Sequence, residues 1–337
     1  MAFVPNAAFR QQWTDRVVND LRRASLFRAL GNSSSEALVQ SNSAYRIADP
    51  DVTVTREERT RGAGGALGDI TPLAEDSASL TWLTINVIGS QVFKTQIDQR
   101  DVNYINPITI GSLRTAMTQD MVLWQDELIS ASLVRDVTRT VALPASGGAT
   151  VSRSTGKLTG GNNSQRNDLA DAAIDWFGDQ ARLLGIKNAR PVLADGDILS
   201  PAVVMTSPLF QMIEDRFLAL YGSTTQITIT PPDQRPALFN RGEYRGEIRG
   251  LPVLVTNNPS IYPQDATSDV ATELWRMLLL TPNNTFDVAT ATYPARTSEP
   301  TGDSAKYKLQ QELEVWYGIV NPDTRGAFAQ VTLPASD

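Results

Sequence analysis

The sequence contains no cysteine and no histidine in its 337 residues. The first zero excludes disulfides, thiolate nucleophiles and cysteine-based zinc sites. The second excludes imidazole ligands, imidazole proton shuttles and Ser-His-Asp triads. Lysine is scarce: of 30 basic residues only five are Lys (Lys94, Lys157, Lys187, Lys306, Lys308), which leaves 25 Arg. Arg is the cation of ion pairs and interfaces because its planar fork meets carboxylates bidentately, although a GC-rich genome raises its share in the same way. Long hydrophobic runs are missing. The longest, LWRMLLL at 274–280, is far short of the ~20 residues that span a bilayer. The first residues, MAFVPNAAFRQQWTDRVVND, lack a basic start followed by an apolar run, so a product kept in a cytoplasm is expected. The sequons at Asn32, Asn162 and Asn283 carry no weight without a secretion signal. Chemistry is left to carboxylates, Lys, Tyr, Ser and Thr, which turns expectation away from an enzyme.

What is present is an ordinary globular composition, 41% apolar and 20% charged, long enough for about two domains. The net charge of −7 predicts a surface that repels nucleic acid and anionic membranes.

Hydrophobic spacing predicts an amphipathic helix over residues 1–30, with Phe9, Trp13, Val17, Leu21 and Ala24 on one face and Gly31 as its stop. A single helix cannot bury that stripe alone. It must lie on the rest of the chain or on a neighbouring subunit. Residues 32–78 read as extended chain, and REERTRGAGGALGD (56–69) as a charged, Gly-rich tip. SLTWLTINV (79–87) then alternates, with Leu83, Ile85 and Val87 on one face. Two extended arms around such a tip suggest a long hairpin, which is barely stable without a surface to lie on. Asn106–Pro107 opens a helix of roughly 25 residues, with Leu113, Met117, Met121, Trp124 and Leu128 in one stripe. Residues 144–167 read as a loop or boundary, and Asn167 as the cap of a helix carrying Leu169, Trp176 and Phe177. PAVVMT (201–206) reads as a buried strand. Ser207–Pro208 opens a helix with Phe210, Ile213, Phe217 and Leu220 inward. Residues 242–259 read as a hairpin turning at Arg249–Gly250, 273–282 as a buried strand, and 308–320 as a strand with Leu313, Val315 and Tyr317 facing one way.

Chemical motifs are weak. GAGGALGD has Leu67 where a dinucleotide fingerprint needs its third Gly. STGKL (154–158) has Leu158 where a phosphate loop needs Ser or Thr, and Val151 in place of its first Gly. Asp195 and Asp197 in ADGD do not meet the calcium-loop pattern and read as a turn. Carboxylates in EDSASL and QQELE could do acid/base work only at a separation that sequence does not show. Arg56, Arg59 and Arg61 have Glu57 and Glu58 among them and no interleaved aromatics to stack bases, so the tip reads as a protein-docking element rather than a nucleic-acid one. No catalytic, cofactor-binding or metal residue is assigned.

The order of parts resembles the major capsid proteins of tailed bacteriophages, the Hong Kong ninety-seven type or Johnson fold. The resemblance rests on the run Phe93, Ile97, Asp98, Asp101 before LRTAMTQDMVLWQDELISASLV, and on RGEIRGLPVLVTNNP, which is similar to the family's G-x-I-x-G-x-x-V-x-x-S-N-x-x-P stretch with Thr256 in place of Ser. It implies an α+β subunit with an N-terminal arm (1–42), an extended E-loop (43–85), a P-domain with the spine helix (86–160, strands returning at 305–337) and an A-domain (161–304). It implies a shell subunit around double-stranded DNA that partners with itself in hexamers and pentamers. Further implied partners are a scaffolding protein, a portal and a cement protein, with only non-specific DNA contact and no membrane. Phe9, Trp13, Val17 and Leu21 of the arm and Arg56, Arg59 and Arg61 of the loop tip are then expected at subunit interfaces. Two departures matter. Some relatives weld their shells through an E-loop Lys, and residues 43–85 contain none. Some carry a long helical scaffolding segment before the arm, and here Met1 leads almost directly into it, so a separate scaffolding protein is expected. The rival readings are a tail or baseplate protein, an encapsulin-like shell and a carboxylate-based enzyme.

Overall fold

Period-two alternation sorts the strands into two sheets and assigns each face a different neighbour. The computed structural model describes residues 7–32, 45–50, 80–98, 107–137, 140–144, 149–152, 158–160, 163–186, 201–231, 239, 241–256, 272–283, 285–293, 295–298, 306–319 and 326–336. The smaller sheet is built on β2 (Leu80–Asp98). It pairs with β1 (Tyr45–Pro50) and with β13 (Lys306–Ile319), which also pairs with β11 (Phe286–Thr292) and β12 (Arg296–Ser298). The larger sheet is centred on β10 (Thr272–Leu280), flanked by β14 (Gly326–Ser336) and β6 (Ala202–Thr206). Beyond β6 follow β9 (Leu251–Thr256), β8 (Tyr244–Ile248) and β7 (Ile227–Thr228). Beyond β14 lie β4 (Ala149–Ser152) and β5 (Leu158–Gly160), and β3 (Thr140–Ala142) also pairs with β14.

The helices cover these faces. Val203, Met205, Trp275, Met277 and Leu279 pack under α4 (Asn163–Ile186) and α5 (Ser207–Tyr221), where they meet Leu169, Phe177, Phe210 and Ile213. Their alternates Ala202, Val204, Leu278 and Leu280 face the opposite way. That second core also holds α2 (Leu26–Leu30), the C-terminal half of α3 (Pro107–Asp136), and Phe286, Val288, Val315 and Tyr317 of the smaller sheet. A third core joins α1 (Ala7–Ala24), Met117 and Met121 of α3, and Leu309 and Leu313 of β13. The 30-residue α3, about 45 Å long at 1.5 Å per residue, therefore spans two cores.

Several expectations change. α4 starts at Asn163, not Asn167. Leu220 is 49% exposed, because it lies in the last turn of α5 just before the left-handed Gly222 that ends it. Residues 80–98 form one strand instead of a strand and a separate lead-in. β3, β4, β5 and β14 belong to the larger sheet, while β11 and β12 join β2 and β13. Two other expectations agree with the structure. The 242–259 hairpin turns at Arg249 (φ 55°) and Gly250 (φ 75°), the two left-handed positions of a type I′ turn. Leu313, Val315 and Tyr317 are all buried.

Candidate assembly surfaces

The N-terminal helices are fastened to their own chain. Trp13 is 3% exposed and Val17 and Leu21 are fully buried, against α3 and β13. The expectation that these three side chains dock on a neighbour is therefore corrected. The stripe found a partner within the subunit, since the N-terminal half of α3 offers Met117 and Met121 at matching helical spacing. Polar contacts add to the seam. Thr14 Oγ1 accepts from Ala295 N (3.0 Å), and Arg114 lies 3.6 Å from Asp20. Gly31 lets the end of α2 approach β11, where a Cβ would sit 2.5 Å from Phe286 Cε2. Asn32 then bridges to β11, donating to Phe286 O and accepting from Val288 N, both at 2.9 Å. Phe9 lies in α1, but its side chain is outside the described residues.

One residue at this junction was not singled out by sequence reasoning. Asp126 of α3 is buried and accepts from Ser25 Oγ (2.5 Å), Leu26 N (3.0 Å) and Phe27 N (3.1 Å), so it caps α2 from another helix. Burial pushes its carboxyl up to about 6, against the hydrogen bonds and the Arg241 charge, which pull down. A sequence signal existed: an Asp stands in the helical stripe Val122, Asp126, Ile129, Leu133.

The second surface is a ribbon. β1 pairs with residues 80–85 of β2, and β13 with residues 86–98, so β2 passes from one partner to the other at Ile85–Asn86. Residues 45–50 and 80–84 thus form a two-stranded extension past β13, with no third strand among the described residues. At its base a bulge falls between Val315 and Trp316. Gly89 lies so close to α3 that a Cβ would be 2.4 Å from Leu128 Cδ1. Phe93 meets Trp124 edge-on, 5.7 Å between centroids. The expected tip with Arg56, Arg59 and Arg61 lies outside the described residues, as do Asp101, Asp195 and Asp197.

The third surface is the far end of α5. Leu218, Tyr221 and Ile229 are exposed, Ile229 at 72%. Tyr221 lines a cleft of about 530 Å³ together with Asp171, Asp175, Phe217 and Arg249. Asp171 is engaged in a two-point pair with Arg216 (2.7 and 2.6 Å), which ties α4 to α5. Among the described residues no three carboxylates converge as a metal site, and no helix is long and apolar enough to cross a membrane.

Solved structures share this arrangement. The capsid of Ralstonia phage GP4 aligns with 94% of this chain and 92% of its own, at 14% identity and a TM-score of 0.54. The mature capsid of bacteriophage PhiM1 aligns over 91% and 87%, at 17% identity and a TM-score of 0.53. A structure from Mycobacterium phage Che8 aligns over 90% and 89%, at 15% identity and a TM-score of 0.50. No family model and no curated protein matches the chain. At such identities the likeness is one of fold: this chain has the α+β fold of the GP4 and PhiM1 capsid chains over more than nine tenths of its length.

Proposed function

We propose that this protein is the structural subunit of an icosahedral phage capsid, self-assembling into the shell that encloses a double-stranded DNA genome. The observation that carries the reading is a whole-chain likeness to the GP4 capsid, reaching above 90% of both chains. In this reading residues 1–42 are the arm, 43–85 the E-loop, 86–160 with 305–337 the P-domain, and 161–304 the A-domain. Copies associate by heterologous contacts that close into pentamers and hexamers. The ribbon of residues 45–50 and 80–84 lies on a neighbour, which supplies the support a two-stranded hairpin lacks. Arg56, Arg59 and Arg61 pair with that neighbour's carboxylates. A scaffolding protein, a portal and a cement protein complete the particle. DNA is enclosed but not gripped, since phosphate binding needs clustered cations and the chain carries a net −7. The role is structural, and the product is a virion component.

Sedimentation and negative-stain microscopy of the purified chain, with scaffolding protein supplied, test this reading. Capsomers or closed shells far above 36.7 kDa support it. A chain that stays monomeric at high concentration overturns it.

A further inference from the structure

Strand pairing gives the smaller sheet one face turned to the helices and one turned away. Leu309, Leu313, Val315 and Tyr317 of β13 pack towards α1 and α3, so their alternates Glu312 and Glu314 stand on the opposite face. Across the ladder Val92 lies beside Glu312, Ser90 beside Glu314 and Val87 beside Trp316. Val87 is 44% and Val92 42% exposed. Glu314 is held in place, its Oε2 accepting from Tyr293 Oη at 3.0 Å. Among the described residues no lysine or arginine forms an ion pair with either carboxylate. The next row along this face is basic, with Lys94 and Arg296 on either side of Gln310. We propose that this face is the seat on which a second copy lays its loop tip, with Arg56, Arg59 and Arg61 of that copy pairing with Glu312 and Glu314. The pairing rests on the shell reading, since assembly is what supplies the second copy.

Charge order selects this occupant. The tip REERTR (56–61) carries both signs. A purely basic segment would be repelled by Lys94 and Arg296, whereas Glu57 and Glu58 turn that row into a second set of pairs. Tyr293 already orients Glu314, so less freedom is lost when an arginine fork closes on it. Val87 and Val92 supply apolar area beside the charges, and covering them keeps water from the pairs. Other carboxylates are committed: Asp20, Asp136, Asp171 and Glu243 each lie against an arginine of their own chain. The rival seat is the α4–α5 end, where Asp175 and Asp215 are exposed near Leu218 and Tyr221.

Charge reversal with rescue tests the seat, read as shell yield by sedimentation with scaffolding protein supplied. Glu312→Arg with Glu314→Arg should lower the yield roughly tenfold or more, and so should Arg56→Glu, Arg59→Glu and Arg61→Glu together. Both sets in one chain should recover most of the loss, because each pair is remade with its signs exchanged. Full yield from the Glu312→Arg, Glu314→Arg chain, or no recovery in the combined chain, overturns the seat. Recovery of the tip variant by Asp175→Arg with Asp215→Arg moves the contact to the α4–α5 end and overturns it too. A wild-type chain that forms no shell fails the shell reading, and the seat with it. Wild-type shells with a silent reversal at Glu312 and Glu314 reject the seat alone. If the reversed chains do not fold, cross-linking decides, since the chain has no Cys of its own. Copies carrying Arg56→Cys, Arg59→Cys or Arg61→Cys, assembled with copies carrying Glu312→Cys, should join through a short bismaleimide into a dimer absent from either copy assembled alone. No such dimer from any of the three mixtures overturns the seat.

Discussion

Trp13 is the residue at which the whole N-terminal segment can be weighed. Its ring is buried against α3 and β13 within one chain, so Trp13→Ala should destabilise the unassembled subunit by about 3–5 kcal/mol, read as a lowered Tm or denaturation midpoint. A subunit of unchanged stability that fails only in assembly would restore the neighbour-docking expectation. Gly31 makes the opposite argument, from a side chain that is missing. Its φ of −84° suits any residue, so the constraint there is space. A Cβ would meet Phe286 Cε2 at 2.5 Å and Val288 Cγ1 at 2.8 Å. Gly31→Ala should cost about 1–3 kcal/mol by overpacking, measured by urea unfolding. Arg249 is held at φ 55°, where an ordinary side chain costs about 1–2 kcal/mol, so Arg249→Asn should raise Tm. An unchanged or lowered Tm would mean that the arginine side chain makes a compensating contact.

At the scale of elements, what could be read in the sequence and what could not divides by range. The helices α3, α4 and α5 were legible because their signals are local: Pro107 at a first turn, Met117 and Met121 four residues apart, Pro208 near an N-terminus, Gly222 at a stop. The strand 244–256 hairpin was legible from Arg249–Gly250 for the same reason. The partner of a stripe was not legible. Trp13, Val17 and Leu21 define a face but not what covers it, and the answer lies some 100 residues away on α3 and 300 away on β13. β11 and β12 went unread because Phe286–Thr292 alternates only against small residues, Ala289 and Ala291, and owes its pairing to β13. Asp126 breaks an apolar stripe, yet its role depends on the α2 backbone. In the proposed shell the ribbon is the element that docks outside its own subunit. Reversing Arg56, Arg59 and Arg61 to Glu should weaken or block assembly, with a salt dependence set by a Debye length of about 10 Å in 0.1 M salt. Unchanged assembly at every salt concentration would reject the docking role of the tip.

At the scale of the molecule, two sheets share one spine helix, and the N-terminal segment is stitched into the second and third cores. What remains to be satisfied is the extension past Ile85 and the exposed end of α5. With no Lys in 43–85 and no Cys anywhere, the proposed shell is expected to be held by non-covalent contacts. Mature particles boiled in detergent should run as one band near 36.7 kDa, and a ladder of covalent oligomers would require an amine from Lys94, Lys157, Lys187, Lys306 or Lys308. The most direct measurement of the central claim is a cryo-microscopy reconstruction of the assembled protein. The account predicts a closed icosahedral shell in which residues 7–32 lie on their own subunit and the ribbon of residues 45–50 and 80–84 crosses onto a neighbour. A ribbon folded back on its own subunit, or a protein that forms no closed shell, would contradict it.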